Sequence, residues 1–257
     1  YIVAWVRWAY SIPFLLPILL FIDIPSLDAT FWKAVAFNVP LEITAILLYI
    51  RALKISPLSL TVPFLALTPV FLVLTSFLIL GETVSIGGLI GILLVSSGAY
   101  VLNISATAKG SRESTAKRLM EPVLAVTREK GSLLMIGVAL IYSLTSNFGK
   151  VAIQHSSPMF FAVFYMVILS ACLLPIVLLK DRAGLAHALR HSEKILHLGI
   201  LTAMMIVFHF LALVRAEVPY VISVKRTSMI FSVIYGWAWF GEQSVAERLT
   251  GSGIMTL

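Results

Sequence analysis

Two long apolar runs separated by a short polar stop form the clearest pattern in the sequence. The runs 60–80 and 83–102 contain no charged residue, and Gly81-Glu82 lies between them. Each run is about twenty residues, so as an α-helix rising about 1.5 Å per residue it would cross a hydrocarbon core of about 30 Å. The pattern therefore predicts a helical hairpin in a membrane, with Gly81-Glu82 at its tip.

The same pattern returns 160 positions later, where Gly241-Glu242 corresponds to Gly81-Glu82. Further pairs at this offset are Ala52 with Ala212, Thr68 with Ser228, Phe71 with Phe231, Val73 with Val233, and Gly91 with Gly251. The register holds without a gap across this stretch. Such a spaced recurrence is typical of an internal duplication in a transporter.

The other apolar runs predict further membrane spans on both sides of a long polar segment, 103–130. Together with the hairpin, the predicted spans are 1–24, 31–53, 60–80, 83–102, 131–152, 158–179, 197–214 and 220–240. Residues 249–257 resemble the start of a ninth span. We expect the full protein to have at least one more helix before Tyr1 and to complete the last one after Leu257.

Composition supports a polytopic helical membrane protein. The chain has 257 residues, of which 60% are apolar and 12% charged, and its mean hydropathy is +1.00. Soluble domains average about a quarter charged residues. The apolar runs do not alternate with polar residues, as the strands of a membrane β-barrel would. The basic residues behind the net charge of +7 lie mostly in connecting segments, so we expect no nucleic-acid partner. The single Cys172 suggests no disulfide, and we expect no metal and no cofactor.

Two spaced motifs carry a resemblance to a known family. The first copy contains Ala52, Leu53, Ser56, Pro57, Leu58, Ser59, Pro63, Thr68, Pro69, Val70, Leu80, Gly81, Glu82, Gly91 and Gly98. The second contains the run Ser223-Val224-Lys225-Arg226-Thr227-Ser228, then Phe240, Gly241, Glu242 and Arg248. These motifs resemble the EamA repeat of the drug/metabolite transporter superfamily, and the resemblance covers nearly the whole chain.

The resemblance implies an all-α polytopic membrane protein built from two inverted five-helix repeats, ten helices in the full protein, around a central cavity. By that count the first helix is missing here and the tenth is truncated. The first repeat would occupy 1–103, a basic linker 104–130, and the second repeat 131–257. The implied function is a secondary active transporter that exports small metabolites or drug-like compounds through the cytoplasmic membrane. Its implied partners are a small-molecule substrate, protons, the lipid bilayer and a second copy of the chain as a homodimer.

Ionisable residues inside the predicted spans are the candidates for substrate binding or coupling, because a charge in the membrane is costly. They are Glu42, Lys150, His209, Lys225 and Arg226. Counted along the helices, all five fall between the midplane and the face opposite the 103–130 segment. We hypothesise that Glu42 binds an amine or a proton and that Lys225 or Arg226 binds an anion. His209 could titrate near neutral pH.

Each candidate also has a structural interpretation. Lys150, Lys225 and Arg226 could extend to the membrane surface, Glu42 could be their ionic partner, and His209 could be a packing residue. Glu82 and Glu242 recur, but carboxylates favour helix N-termini, so they could cap the helices that follow them.

Two features favour a functional role. The first-half positions equivalent to Lys225-Arg226 are Leu65-Ala66, so packing of the duplicated scaffold does not require charge there. Pro63 and Pro69 could break their helix and free backbone carbonyls, or merely kink it.

Two alternatives to a transporter remain at this level. A membrane-embedded enzyme acting on a lipid-linked substrate would use Glu42, His209 and Arg226, but the sequence has no H-E-x-x-H motif and no complete phosphate loop. A scaffold would use 103–130 as a docking surface.

The orientation in the membrane is also open. The excess of Lys and Arg on the side of 103–130 predicts that this side is cytoplasmic, whereas the family pattern predicts the reverse.

Overall fold

The computed structural model describes residues 1–56, 61–107, 130–228, 230–231 and 234–235. All regular secondary structure in these ranges is helical, which confirms the all-α prediction. The α-helices are α1 (Ile2–Ala9), α2 (Ile12–Leu15), α3 (Ala29–Ile55), α4 (Thr68–Leu80), α5 (Ile86–Thr107), α6 (Lys130–Gln154), α7 (Pro158–Lys180), α8 (Arg182–Arg190), α9 (Ser192–Arg215) and α10 (Val218–Arg226). There are also two 3₁₀ helices. Leu16–Leu20 follows α2, and Val62–Leu67 leads directly into α4.

Six helical segments of the described chain are long and apolar enough to cross a membrane. They are Ile2–Leu20, Ala29–Ile55, Val62–Leu80, Lys130–Gln154, Pro158–Lys180 and Ile195–Arg215. The shorter apolar helix Ile86–Val101 matches the second arm of the predicted hairpin. The predicted span 220–240 begins in α10 and then runs beyond the described residues. Each predicted span that falls within the description is thus helical.

The chain divides into two compact units, each of which draws on both halves of the sequence. The first contains Tyr1–Ile46 and Phe148–Ala216, and the second contains Leu47–Asn147 and the described residues of Glu217–Leu257. Helices α3 and α6 contribute to both units, because the boundary after Ile46 falls inside α3 and the boundary after Asn147 falls inside α6. The division into repeats at 1–103, 104–130 and 131–257 follows the sequence and stays a prediction.

In the first unit, α7 is the central helix. Helices α1, α2, α8 and α9 all pack against it. Its residues Leu173 and Val177 form a buried cluster with Leu185 of α8, and Trp5 and Trp8 of α1 cover that cluster. Helices in a membrane associate through van der Waals packing and interhelical hydrogen bonds. One such hydrogen bond runs from the Trp5 indole N–H to the Ser170 carbonyl at 3.1 Å.

In the second unit, α10 packs against both arms of the predicted hairpin, α4 and α5. Small residues allow the close approach of α5 to the 3₁₀ helix Val62–Leu67: Ala66 is 3% exposed and Ala99 is 0% exposed, and they pack together. The hairpin itself closes as predicted. Helix α4 ends at Leu80, Gly81 adopts a left-handed φ of +70°, and α5 begins at Ile86.

Candidate functional site

A membrane-embedded guanidinium is the clearest polar feature of the second unit. Arg226, the last residue of α10, donates from Nη2 to the Leu65 carbonyl at 3.1 Å and to the Thr68 hydroxyl at 3.2 Å. Its Nε is buried and has no hydrogen-bond partner among the described residues. The side chain is therefore held inside the second unit by these contacts. The interpretation that Arg226 extends to the membrane surface stays a prediction.

The proline at position 69 changes which donors reach the Leu65 carbonyl, which accepts from the Thr68 backbone N–H of the 3₁₀ helix. In an α-helix the Leu65 carbonyl would accept from the N–H of residue 69, and proline has none. The chain instead forms a 3₁₀ helix over Val62–Leu67, with Pro63 in its first turn, and starts α4 at Thr68. Thr68 also donates its hydroxyl to the Leu65 carbonyl at 2.8 Å. The break at Pro69 is thus closed by Arg226 and Thr68.

The structure separates the two basic neighbours Lys225 and Arg226. Lys225 is exposed among the described residues, whereas Arg226 is partly buried and points toward Leu65 and Thr68. Adjacent residues on a helix point about 100° apart, since there are 3.6 residues per turn. The two side chains therefore cannot make the same contacts, and Arg226 is the better candidate for a site inside the second unit.

Lys150 has a structural contact in the first unit. It lies on α6, is only 7% exposed, and donates from Nζ to the Ala216 carbonyl at 2.7 Å. Ala216 is the C-terminal cap of α9, where helix carbonyls lack intrahelical partners and a positive charge is favourable. Lys150 is therefore buried within the protein, and the interpretation that it extends to the membrane surface stays a prediction.

Glu42 and His209 also lie in the first unit, and both are partly buried. Glu42 is on α3, one turn after Asn38. The His209 ring lies 5.5 Å from the ring of its neighbour Phe210, which packs with Phe161 and Tyr165. Their roles as coupling or binding residues stay predictions.

Asn38 is a polar residue that the sequence reasoning missed. It is 0% exposed, and both amide atoms, Nδ2 and Oδ1, have no hydrogen-bond partner in the described part of the chain. A buried polar group without partners costs about 1–3 kcal/mol. The missed signal was an uncharged polar residue four positions before Glu42 and two before Pro40, in a mostly apolar helix.

A second buried asparagine, Asn147, behaves differently. Its Nδ2 donates to the Thr75 hydroxyl and to the Ser143 carbonyl, both at 3.0 Å, and its Oδ1 accepts from the Ser76 hydroxyl at 2.7 Å. These bonds connect α6 to α4 within the second unit. Asn147 is therefore a satisfied packing residue, and it offers a control for Asn38.

Glu82, at the tip of the hairpin, caps a distant helix. Its Oε2 accepts from the Val218 backbone N–H at 2.8 Å, at the start of α10. A carboxylate at a helix N-terminus satisfies an unpaired N–H and is attracted by the helix dipole. The sequence suggested a cap on the helix that follows Glu82, whereas this contact reaches a helix 136 positions away.

Tyr220 makes a second contact between α10 and the hairpin. Its hydroxyl accepts from the Ser85 backbone N–H at 3.1 Å. The ring lies directly over Gly88, where an added Cβ would be 2.6 Å from Cζ of the ring. Gly88 is thus required for this packing. Gly241 and Glu242, the corresponding hairpin tip of the second half, lie outside the described residues.

At the ends of α3 and α6, Asp28 and His155 form an exposed pair. Asp28 Oδ2 lies 2.9 Å from His155 Nδ1, and Asp28 Oδ1 accepts from the Phe31 N–H at 2.8 Å. The Phe31 N–H and the His155 ring hold the pKa of Asp28 below its ordinary value of 3.8. Because Asp28 caps α3, this pair belongs to the helix that carries Asn38 and Glu42.

No group of three or more His, Cys, Asp or Glu residues that could hold a metal ion occurs in the part of the chain that the structure describes. Cys172, on α7, is a free thiol. The polar contacts that the described residues make include those of the Arg226 guanidinium, the Lys150 ammonium and the Glu82 carboxylate.

Six long apolar helices among the described residues are typical of a multi-pass helical membrane protein. The comparison with known families gives the particular group. The model of the EamA-like transporter family matches residues 1–104 and 129–257. The chain belongs to this family, within the drug/metabolite transporter superfamily, and is a multi-pass membrane protein. No curated protein matches the chain.

Proposed function

We propose that the protein is a secondary active transporter that exports a small metabolite or drug-like compound across the cytoplasmic membrane by alternating access. Membership of a transporter family and six candidate spans support this proposal. In this mechanism two inverted repeats rock about a substrate site near the midplane of the membrane.

The observation that carries the assignment of a site is Arg226. Its hydrogen bonds to Leu65 and Thr68 go to neutral oxygens, and its Nε has no partner in the described chain. A guanidinium offers five N–H donors in a planar fork that matches a carboxylate or phosphate. We therefore assign Arg226 as the residue that binds an anionic group of the substrate, with Lys225 as a second positive charge nearby in sequence.

Glu42 is the proposed coupling residue. A partly buried carboxylate in a membrane helix is suited to bind a proton or an amine, because a charge inside the membrane is costly. His209 is a further candidate proton carrier. Lys150 is occupied by the C-terminal carbonyl of α9, so we now assign it to stabilisation of that helix end.

The contact of Glu82 with Val218 supports a joint movement of α10 and the hairpin. Helix α10 is attached to the hairpin tip through Glu82 and through Tyr220, so α10 and the hairpin of α4 and α5 would move as one body. The Arg226 site lies within that body. Substrate binding at Arg226 would then be retained while access to the site alternates.

Metabolite profiling of medium and cytoplasm tests this function. Cells would express the wild-type protein, Arg226→Ala, Glu42→Gln, or a control double variant, Lys180→Ala with Arg182→Ala. The control removes two exposed positive charges at the junction of α7 and α8.

We expect a compound to move to the medium with the wild type and the control, and not with Arg226→Ala. A chemically converted product in place of a relocated one would contradict transport and favour the enzyme alternative. Identical profiles with and without the wild-type protein would contradict the proposed function. Unchanged pH dependence of transport in Glu42→Gln would contradict coupling through Glu42.

A further inference from the structure

The turn of α3 around Pro40 contains polar groups that the site at Arg226 does not use. Pro40 lies inside α3, and its missing N–H removes one helical hydrogen bond from this turn. Asn38 lies in the same turn, fully buried, with both amide atoms unpaired among the residues described. Glu42 follows one turn later, on the same helix face as Asn38, since residues four apart are neighbours on a helix.

On the neighbouring helix α6, a glycine lies beside the Asn38 amide. Phe37 stacks on Phe148 of α6, with ring centroids 5.7 Å apart and planes 20° apart. Next to this stack, the Asn38 Nδ2 lies 3.6 Å from the place where a Gly149 Cβ would be. Glycine offers no side-chain donor or acceptor, so the packing keeps the amide enclosed without satisfying it.

We propose that Asn38 contacts the transported compound and, together with Glu42, binds its primary ammonium group. This inference rests on the proposed transport function and adds a substrate class to it. An ammonium group has three N–H donors and no acceptor, and the amide Oδ1 and the Glu42 carboxylate are acceptors on one helix face. The Asn38 Nδ2 is left to donate to an oxygen of the same compound.

The enclosed amide also affects the balance between the conformations of the transporter. Burial of an unpaired amide disfavours the conformation in which it is enclosed. A ligand that forms hydrogen bonds with the amide binds only the conformation in which the amide is accessible. Its binding therefore shifts the equilibrium toward that conformation. Asn38 would thus bind the substrate and help to drive the change of conformation.

Thermal unfolding of the purified protein tests the inference, with Asn147→Leu as a matched control. Both asparagines are fully buried in membrane helices, but Asn147 is fully hydrogen-bonded. We expect Asn38→Leu to raise Tm by several degrees without ligand, because it removes an unpaired amide. We expect Asn147→Leu to lower Tm, because it breaks existing hydrogen bonds.

The ligand arm uses ethanolamine, putrescine and tyramine as primary amines, and choline as a cation without N–H donors. We expect at least one primary amine to raise the Tm of the wild type, with choline ineffective, and we expect this shift to disappear in Asn38→Leu. Any of four results would overturn the inference: a lower Tm for Asn38→Leu, no shift with any amine, an equal shift with choline, or a shift that persists in Asn38→Leu.

Metabolite profiling of the same variants separates the two proposals. If the wild type and Asn38→Leu both relocate a compound equally well, Asn38 is not a substrate contact and the transport function stands. If the wild type relocates nothing, the transport function fails. Loss of relocation in Asn38→Leu, together with its raised Tm, would support both, because an unfolded protein would not show a higher Tm.

Discussion

Two helical segments that contain a proline, Pro40 in the first unit and Pro69 in the second, differ in how nearby polar groups are satisfied. At Pro69 the Leu65 carbonyl accepts from the backbone N–H and the hydroxyl of Thr68 and from Arg226. At Pro40 the adjacent buried amide of Asn38 has no partner in the described chain. The same local chemistry, a proline in a membrane helix, therefore gives a paired site in one unit and an unpaired one in the other. The hydrogen bonds of Arg226 fix the position of its guanidinium. In our proposal, the unpaired amide of Asn38 instead gains hydrogen bonds when a ligand binds.

The largest effect is expected at the paired site. Arg226→Leu should weaken substrate binding by about 2–5 kcal/mol, because a buried charge can no longer meet its counter-charge. Arg226→Lys should recover only part of the loss, since an ammonium cannot reproduce the planar fork of the guanidinium. Uptake by proteoliposomes measures both, with the Lys180→Ala and Arg182→Ala double variant as control. Equal uptake by Arg226→Leu and the control would remove Arg226 from the site.

Replacement of each proline by alanine tests the difference between Pro40 and Pro69. Pro40 lies in the interior of α3, where proline costs up to about 3 kcal/mol, so Pro40→Ala should stabilise the protein measurably. Pro69 lies in the first turn of α4, where proline is tolerated, so Pro69→Ala should change stability by less than about 1 kcal/mol. However, Pro69→Ala adds the N–H of residue 69 to the donors near the Leu65 carbonyl, beside the Thr68 N–H and Arg226, and it should reduce transport. Comparable stability gains in both variants would contradict this difference.

The packing of α10 on the hairpin can be broken at a single glycine. A Cβ at Gly88 would overlap the Tyr220 ring, so Gly88→Ala should destabilise the second unit by about 1–3 kcal/mol and displace Arg226. Gly91 lies on the same helix with no atom within 4 Å of its Cβ position, which makes Gly91→Ala the matched control. Chemical denaturation in detergent measures both. The interpretation fails if the two variants unfold alike.

A smaller effect is expected from the carboxylate that caps α10. Glu82→Gln keeps an acceptor for the Val218 N–H but loses the charge, so stability should fall by roughly 1 kcal/mol. The equivalent Glu242→Gln variant tests whether the recurrence of the motif reflects the same role in the second half. A loss for Glu82→Gln with none for Glu242→Gln would show that the caps are not equivalent.

The smallest effect concerns the exposed cap of α3. The Asp28 carboxylate has a lowered pKa, so it stabilises the folded state above the ordinary value of 3.8 and loses this contribution as pH falls through the lowered pKa. In Asp28→Asn, the Tm difference from wild type should shrink below this pH. Transport at neutral pH should be unchanged, because Asp28 is 50% exposed at the helix end. A Tm difference that is independent of pH would contradict the assignment.

The sequence by itself determined the spans, the hairpin and the family. These are properties of segments: a run of about twenty apolar residues is long enough to cross a bilayer wherever its neighbours lie. The recurring Gly-Glu tip and the spacing of Pro63 and Pro69 could likewise be found by counting positions.

Only the tertiary structure decided which polar groups are paired. Arg226 and Leu65 are 161 positions apart, and Glu82 and Val218 are 136 apart, so no local pattern relates them. In a membrane helix both the lipid-facing and the protein-facing sides are apolar, and hydrophobic periodicity therefore does not reveal which face is buried. For this reason the sequence could nominate Arg226, Lys150 and Glu82 but not their partners. It gave no prominence to Asn38, whose significance depends on the absence of a partner in three dimensions.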